Sequence, residues 1–124
     1  MRIWDVPPRT LCRQHLLGEH RELHAIWAIL TENRRGYRAH PETRRWEGKL
    51  RALYRRHERL VREMAARGYH HRSPLDRRRA TGAEVQRAYV DPPARQRLIL
   101  AGKPCPCPRR SAARLSSRGP RRAA

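Results

Sequence analysis

The ten residues from Gln14 to Leu23, Gln-His-Leu-Leu-Gly-Glu-His-Arg-Glu-Leu, carry the densest set of chemically useful side chains in the chain. Read as a helix, the segment puts Gln14, His15, Gly18, Arg21 and Glu22 on one stripe, because positions three, four and seven apart share a face. That stripe holds a carboxylate for acid/base work, a guanidinium and an imidazole for anions, an amide, and a glycine. A mid-helix glycine costs about 1 kcal/mol against alanine, and it suits a place where a ligand comes close to backbone. The opposite stripe, Leu16, His20, Leu23, Trp27 and Leu30, reads as core-facing.

A second source of chemistry is the amino terminus. Met1 precedes Arg2, so the initiator is expected to stay. An α-amine titrates near ~7.7–8.0 and a lysine near ~10.4, so at neutral pH roughly a tenth of the amine is free to attack a carbon. His20 and His24 lie four apart, a spacing that can bind zinc, but the acid between them breaks the His-Glu-x-x-His pattern. Cys105-Pro106-Cys107 has short spacing and no second pair, and reads as tail thiols. Neither a resident metal nor a cofactor is expected.

These groups sit in a strongly basic chain. The 124 residues carry a net charge of +19, with 28 Arg and 2 Lys among the bases. Residues 1–72 contribute +9 and residues 73–124 contribute +10, so the basic character is not confined to a tail. Polyphosphate is the partner that such a charge selects, since each neutralised phosphate releases counterions. Arg34 and Arg35, in a basic loop from Asn33 to Pro41, join the candidate DNA contacts. No apolar run is long enough for a membrane span. Three cysteines, Cys12, Cys105 and Cys107, and a start without an apolar leader point to a reducing, cytoplasmic setting, associated with the nucleoid.

The elements that must position these residues read as an all-α, small single-domain bundle. Its parts are two long helices, a short C-terminal helix and a basic tail. Pro7-Pro8 turns an extended start into helix one, capped by Thr10 and ending near Leu30 or Thr31. Helix two is expected from Glu42 to Arg67, with Gly68 as its stop. Its apolar line runs through Trp46, Leu50, Leu53, Tyr54, His57, Leu60, Val61 and Met64. Its other faces carry arginines, Arg45 and Arg56 included. Ser73-Pro74-Leu75 is a turn, residues 77–90 have no assignment, and Pro92-Pro93 opens a helix from about Ala94 to Ala101, ended by Gly102. The domain is drawn at 1–102, and residues 103–124 form a tail expected to be disordered.

Arg2-Ile3 followed by Gln14-His15-Leu16-Leu17-Gly18-Glu19-His20-Arg21-Glu22-Leu23 resembles the pyrimidine-dimer DNA glycosylases of the phage endonuclease V type. The helix from Lys49-Leu50-Arg51 to Arg67-Gly68-Tyr69 is similar to that family's helix ending in Arg-Gly-aromatic. The match covers about residues 1–72. The resemblance implies an all-helical, metal-independent glycosylase with AP-lyase activity, acting as a monomer on damaged double-stranded DNA. It implies Met1 as the residue whose α-amine is the nucleophile, Glu22 as the catalytic glutamate, and Arg2, Gln14, His15 and Arg21 as DNA contacts. Ala25 stands where the phage member has a further arginine, and this chain ends in Arg, Ser and Pro rather than in an aromatic-rich segment. Two other readings stay open at this point: a non-catalytic basic nucleic-acid-binding protein on the same scaffold, and a metal-dependent nuclease using His20, Glu22 and His24.

Overall fold

The computed structural model describes residues 1–105 and 107. Among them are helices α1 (Arg13–Thr31), α2 (Pro41–Arg44), α3 (Leu50–Ala66) and α4 (Pro93–Ala101), with 3-10 turns at Pro8–Thr10 and Arg77–Arg79. No strand occurs among the described residues, and no helix of theirs is long and apolar enough to cross a membrane. The all-α bundle is as expected. Of the tail expected to be disordered, 103–124, residues 106 and 108–124 lie outside the described residues, whereas Cys107 is buried in the core with Cys105 packed against it.

Helix α1 begins later than Thr10. Thr10 instead closes the 3-10 turn, its hydroxyl donating to the Pro7 carbonyl at 2.7 Å. The cap is Cys12, whose sulfur accepts from the His15 N–H at 3.5 Å. Leu16, Leu23, Ile26 and Trp27 of α1 pack against Leu53, Leu60 and Met64 of α3 in one core. The apolar stripes of the two helices meet as their period dictates.

The single second helix expected from Glu42 to Arg67 is two helices. Gly48 sits in the left-handed region, with φ of 73°, and breaks the run between Arg44 and Leu50. The apolar spacing reads straight through the break because Trp46 and Leu50 are four apart in sequence. The break turns both Trp46 and Arg45 into the interior. The C-terminal stop is where the sequence puts it. Gly68 takes φ of 85°, and the Gly68 and Tyr69 N–H groups donate to the Ala65 and Met64 carbonyls at 3.0 and 2.9 Å.

Residues 77–90, unassigned from sequence, have a definite task. The first turn of α3 has no side-chain cap. Its Arg51 and Ala52 N–H groups donate to the Thr81 and Ala83 carbonyls at 2.7 and 3.1 Å, and the Ala83 N–H returns a bond to the Gly48 carbonyl at 2.9 Å. Gly82 lies between, at φ of 84°, where a Cβ would run into the Gly48 carbonyl oxygen. Gly82→Ala is therefore expected to destabilise the fold by about 1–3 kcal/mol. A urea titration reads this as a lower midpoint with unchanged slope; an unchanged midpoint would remove the loop from the account of how α3 is capped.

Residues 1–7 run extended through the core and are held by buried charge. Arg45 donates to the Ile3 carbonyl at 3.2 Å, to Glu42 at 2.8 Å and to Asp5 at 2.8 Å. Glu42 accepts from the Ile3 N–H at 3.2 Å and from the Trp46 indole at 3.3 Å. Deeper along the segment, Arg56 forms a bidentate pair with Glu19 at 2.6 and 3.0 Å and donates to the Val6 carbonyl at 2.9 Å. Burial pushes the Glu19 carboxyl up, and the Arg56 guanidinium opposes that shift. Arg45 and Arg56 are thus not part of a solvated basic face, as their helix positions suggest. They thread their guanidinium groups across the core to backbone carbonyls that would otherwise lack partners. Packing also continues past residue 102: Cys107 belongs to the same core as Leu100, and Cys105 packs against it.

Candidate active site

The extended start delivers the chain's own amine to the equipped face of α1. The Met1 nitrogen lies 3.1 Å from a Glu22 carboxylate oxygen. The Met1 side chain is 10% exposed and Glu22 37%. Ile3, fully buried two residues on, fixes the register of the terminus, and the Thr43 hydroxyl contacts the Met1 sulfur at 3.5 Å. The pair is therefore placed by α1 on one side and by α2 on the other, through Glu42, Thr43 and Arg45.

Met1 and Glu22 form the wall between two clefts. One, of about 420 Å³, is lined by Arg2, Gln14, His15, Gly18, Arg21 and Lys103 in addition to the pair. Here the expected front stripe of α1 is intact, and space above Gly18 is open: a Cβ built there meets nothing within 4 Å. The other cleft, of about 490 Å³, is lined by Ala25, Ile29, Arg34, Gly36, Tyr37 and His40 beside the pair. An amine and a carboxylate at the junction of two basic clefts can attack a sugar carbon and move its protons.

The predicted contact residues do not all stand alike. Gln14 and Arg21 are exposed on the lip of the first cleft. Arg2 is half-buried, 3.1 Å from Asp91 and stacked 4.8 Å over the Trp4 ring, so its charge is already partly used. Arg34 lines the second cleft and pairs with Glu32 at 2.6 Å. Arg35 is exposed on the loop and lines neither cleft. His15 lines the first cleft, yet its Nδ1 faces three sulfurs, at 3.2 Å from Cys12, 3.3 Å from Cys107 and 3.6 Å from Cys105. Burial, and then the Lys103 charge, hold its imidazole below the usual histidine range.

Sequence reasoning did not single out Tyr37. It is 69% exposed, lines the second cleft and takes φ of 59°, a left-handed conformation that a bulky residue rarely adopts. The available signal was an aromatic residue set inside a run of arginines and glycine, a composition suited to stacking on bases.

His20 and His24 do not share a site with Glu22. They turn the other way, toward His57 of α3 and His71, and the four imidazoles offer ligand atoms within 4.8 Å of one another. That removes the geometric basis of a nuclease using His20, Glu22 and His24. Burial, followed by the neighbouring imidazoles, lowers His20 to about 4. The tail thiols have partners as well. Cys107 is buried, its sulfur accepting from the Cys12 N–H at 2.9 Å, and burial pushes its thiol up to about 12.

A family model described as pyrimidine dimer DNA glycosylase matches residues 1–77. No curated protein and no solved structure matches the chain. The matched span contains the amine, the carboxylate, the whole front of α1, and α2 and α3, which hold the terminus in place. With its helical fold and the match over more than half its length, the chain belongs to the pyrimidine dimer DNA glycosylase family.

Proposed function

We propose that the protein cleaves the glycosidic bond at a pyrimidine dimer and then nicks the strand as an AP lyase, with the Met1 α-amine as nucleophile and Glu22 as its acid/base partner. The observation that carries this is the 3.1 Å approach of the Met1 nitrogen to Glu22 at the junction of two clefts. The free amine adds to C1′ as the bond to the base breaks, and the bonding electrons leave with the base. Loss of an amine proton and opening of the C1′–O4′ bond yield an imine. Glu22, or a water that it orients, takes a C2′ proton; the electrons move to eliminate the 3′ phosphate and break the strand. The negative charge of Glu22 also stabilises the cationic sugar before the proton moves.

The flanking residues fit a displaced nucleotide. Arg21 and Gln14 on one lip and Arg34 on the other hold phosphates either side of the reacting sugar. Tyr37 stacks on a base that has left the duplex. A damaged, poorly stacked step lowers the energy of that displacement.

Borohydride trapping tests the proposal. Protein beginning at an unmodified Met1 is mixed with duplex DNA bearing one thymine dimer and, separately, an abasic site. A covalent adduct is expected with both, and acetylation of the amine is expected to abolish it. An adduct with the abasic site alone would keep the lyase and discard the dimer as its substrate. Tight binding with no adduct on either DNA would leave a non-catalytic DNA-binding protein on this scaffold.

A further inference from the structure

Two clusters of metal-ligating side chains lie outside the Met1–Glu22 pair, and the reaction proposed above needs neither. The first joins Cys12, the residue that caps α1, and His15, in its first turn, to Cys105 and Cys107, which follow α4. All four ligand atoms lie within 4.8 Å of one another. The three sulfurs stand 3.2, 3.3 and 3.6 Å from one imidazole nitrogen. A tetrahedral zinc ion, with Zn–S of about 2.3 Å and Zn–N of about 2.0–2.1 Å, requires S···N edges of about 3.5–3.6 Å. All three cysteines are free, so no disulfide accounts for their convergence. Two backbone N–H groups already point at the sulfurs, from Cys12 to Cys107 at 2.9 Å and from His15 to Cys12 at 3.5 Å. Outer N–H···S bonds of this kind stabilise metal-bound thiolates.

We propose that Cys12, His15, Cys105 and Cys107 bind a structural Zn²⁺ ion that ties the segment after α4 to the start of α1. Four protein ligands leave no open position, so the ion has no place in the bond-breaking steps. It acts on the cleft through His15. With Nδ1 on the metal, the ring's remaining nitrogen is fixed as an N–H donor, the form suited to a DNA phosphate oxygen.

The second cluster carries its own inference from different observations. His20 and His24 of α1, His57 of α3 and His71 close on one point from three parts of the chain. The His20 and His71 Nε2 atoms are buried with no hydrogen-bond partner, a costly state for polar atoms. His24 and His57 bring their Nε2 atoms to 3.2 Å, near the N···N edge of about 3.3–3.4 Å around zinc. The other nitrogen of His57 meets Glu58 at 2.8 Å, the carboxylate–histidine arrangement that orients a ligand imidazole. We infer a second, all-histidine Zn²⁺ site clamping α1 to α3.

Native mass spectrometry of the full chain made in zinc-supplemented medium is expected to show two zinc ions per protein. Cys105→Ser with Cys107→Ser should retain one, and His20→Gln with His71→Gln should retain one. Cobalt titrated into the metal-stripped chain should give tetrahedral d–d bands, with sulfur-to-cobalt charge transfer that the cysteine pair of substitutions removes and the histidine pair leaves. Absence of that charge-transfer band in the unaltered chain, or a disulfide mass with no metal, would overturn the first site. A histidine variant that keeps both ions would overturn the second. Should a variant fail to fold, the unaltered chain still decides: its metal count and its cobalt bands test each site directly.

Discussion

Glu22→Gln is expected to slow strand cleavage at a dimer by about 10²–10⁴-fold, the usual contribution of a positioned acid/base group. DNA affinity should hold or rise, because a negative charge leaves a basic cleft. Gln has the same size and keeps a hydrogen-bond acceptor near the amine, so the fold is not at stake: the Glu22 side chain is partly exposed and its partner is the terminus itself. What Gln cannot do is accept the C2′ proton or balance a cationic sugar. Single-turnover cleavage and a binding titration on the same duplex separate these effects. A drop in affinity matching the drop in rate would make Glu22 a binding residue. Unchanged cleavage would remove it from the chemistry.

Arg45→Ala is expected to destabilise the protein by about 3–5 kcal/mol, the cost of leaving buried charge without its partner. Arg45 is the shared donor to Asp5, Glu42 and the Ile3 and Ala88 carbonyls. Its loss strands two carboxylates inside the fold and frees the segment that carries Met1. Glu42→Gln combined with Arg45→Met should cost less than Arg45→Ala, since one stranded carboxylate becomes a neutral amide that still accepts from Ile3. Urea denaturation of the three proteins gives the comparison. Equal losses for the single and combined changes would mean that packing, not charge, holds the terminus. Where Arg45→Ala remains folded, cleavage should fall more than stability accounts for, because misplacing a reacting atom by about 1 Å can cost 10²-fold.

Much of the molecule could be read along the chain because it depends on local periodicity. The apolar and equipped stripes of α1, the apolar line of α3 and the glycine stop at Gly68 repeat at helical spacing and stand as expected. The break at Gly48 was hidden because Trp46 and Leu50 keep that spacing across it. Arg45 and Arg56 looked like surface residues because a charged side chain reveals burial only through its partners. Those partners, Asp5 and Glu19, lie 40 and 37 residues away. The thiols show the same limit: Cys105 and Cys107 have no adjacent pair, and their companions are ninety or more residues earlier.

The chain's order of residues alone determined the charge that selects DNA, the helical class, the family, and the face of α1 that carries Glu22. Each follows from composition or from neighbours within one helical turn. Tertiary structure decided that the Met1 amine meets Glu22, that two clefts open on either side of them, and that seven histidine and cysteine side chains besides His15 gather into two clusters. These are contacts between segments far apart in sequence. Their distances are set by a buried framework of Arg45, Arg56 and the core, which no local pattern records.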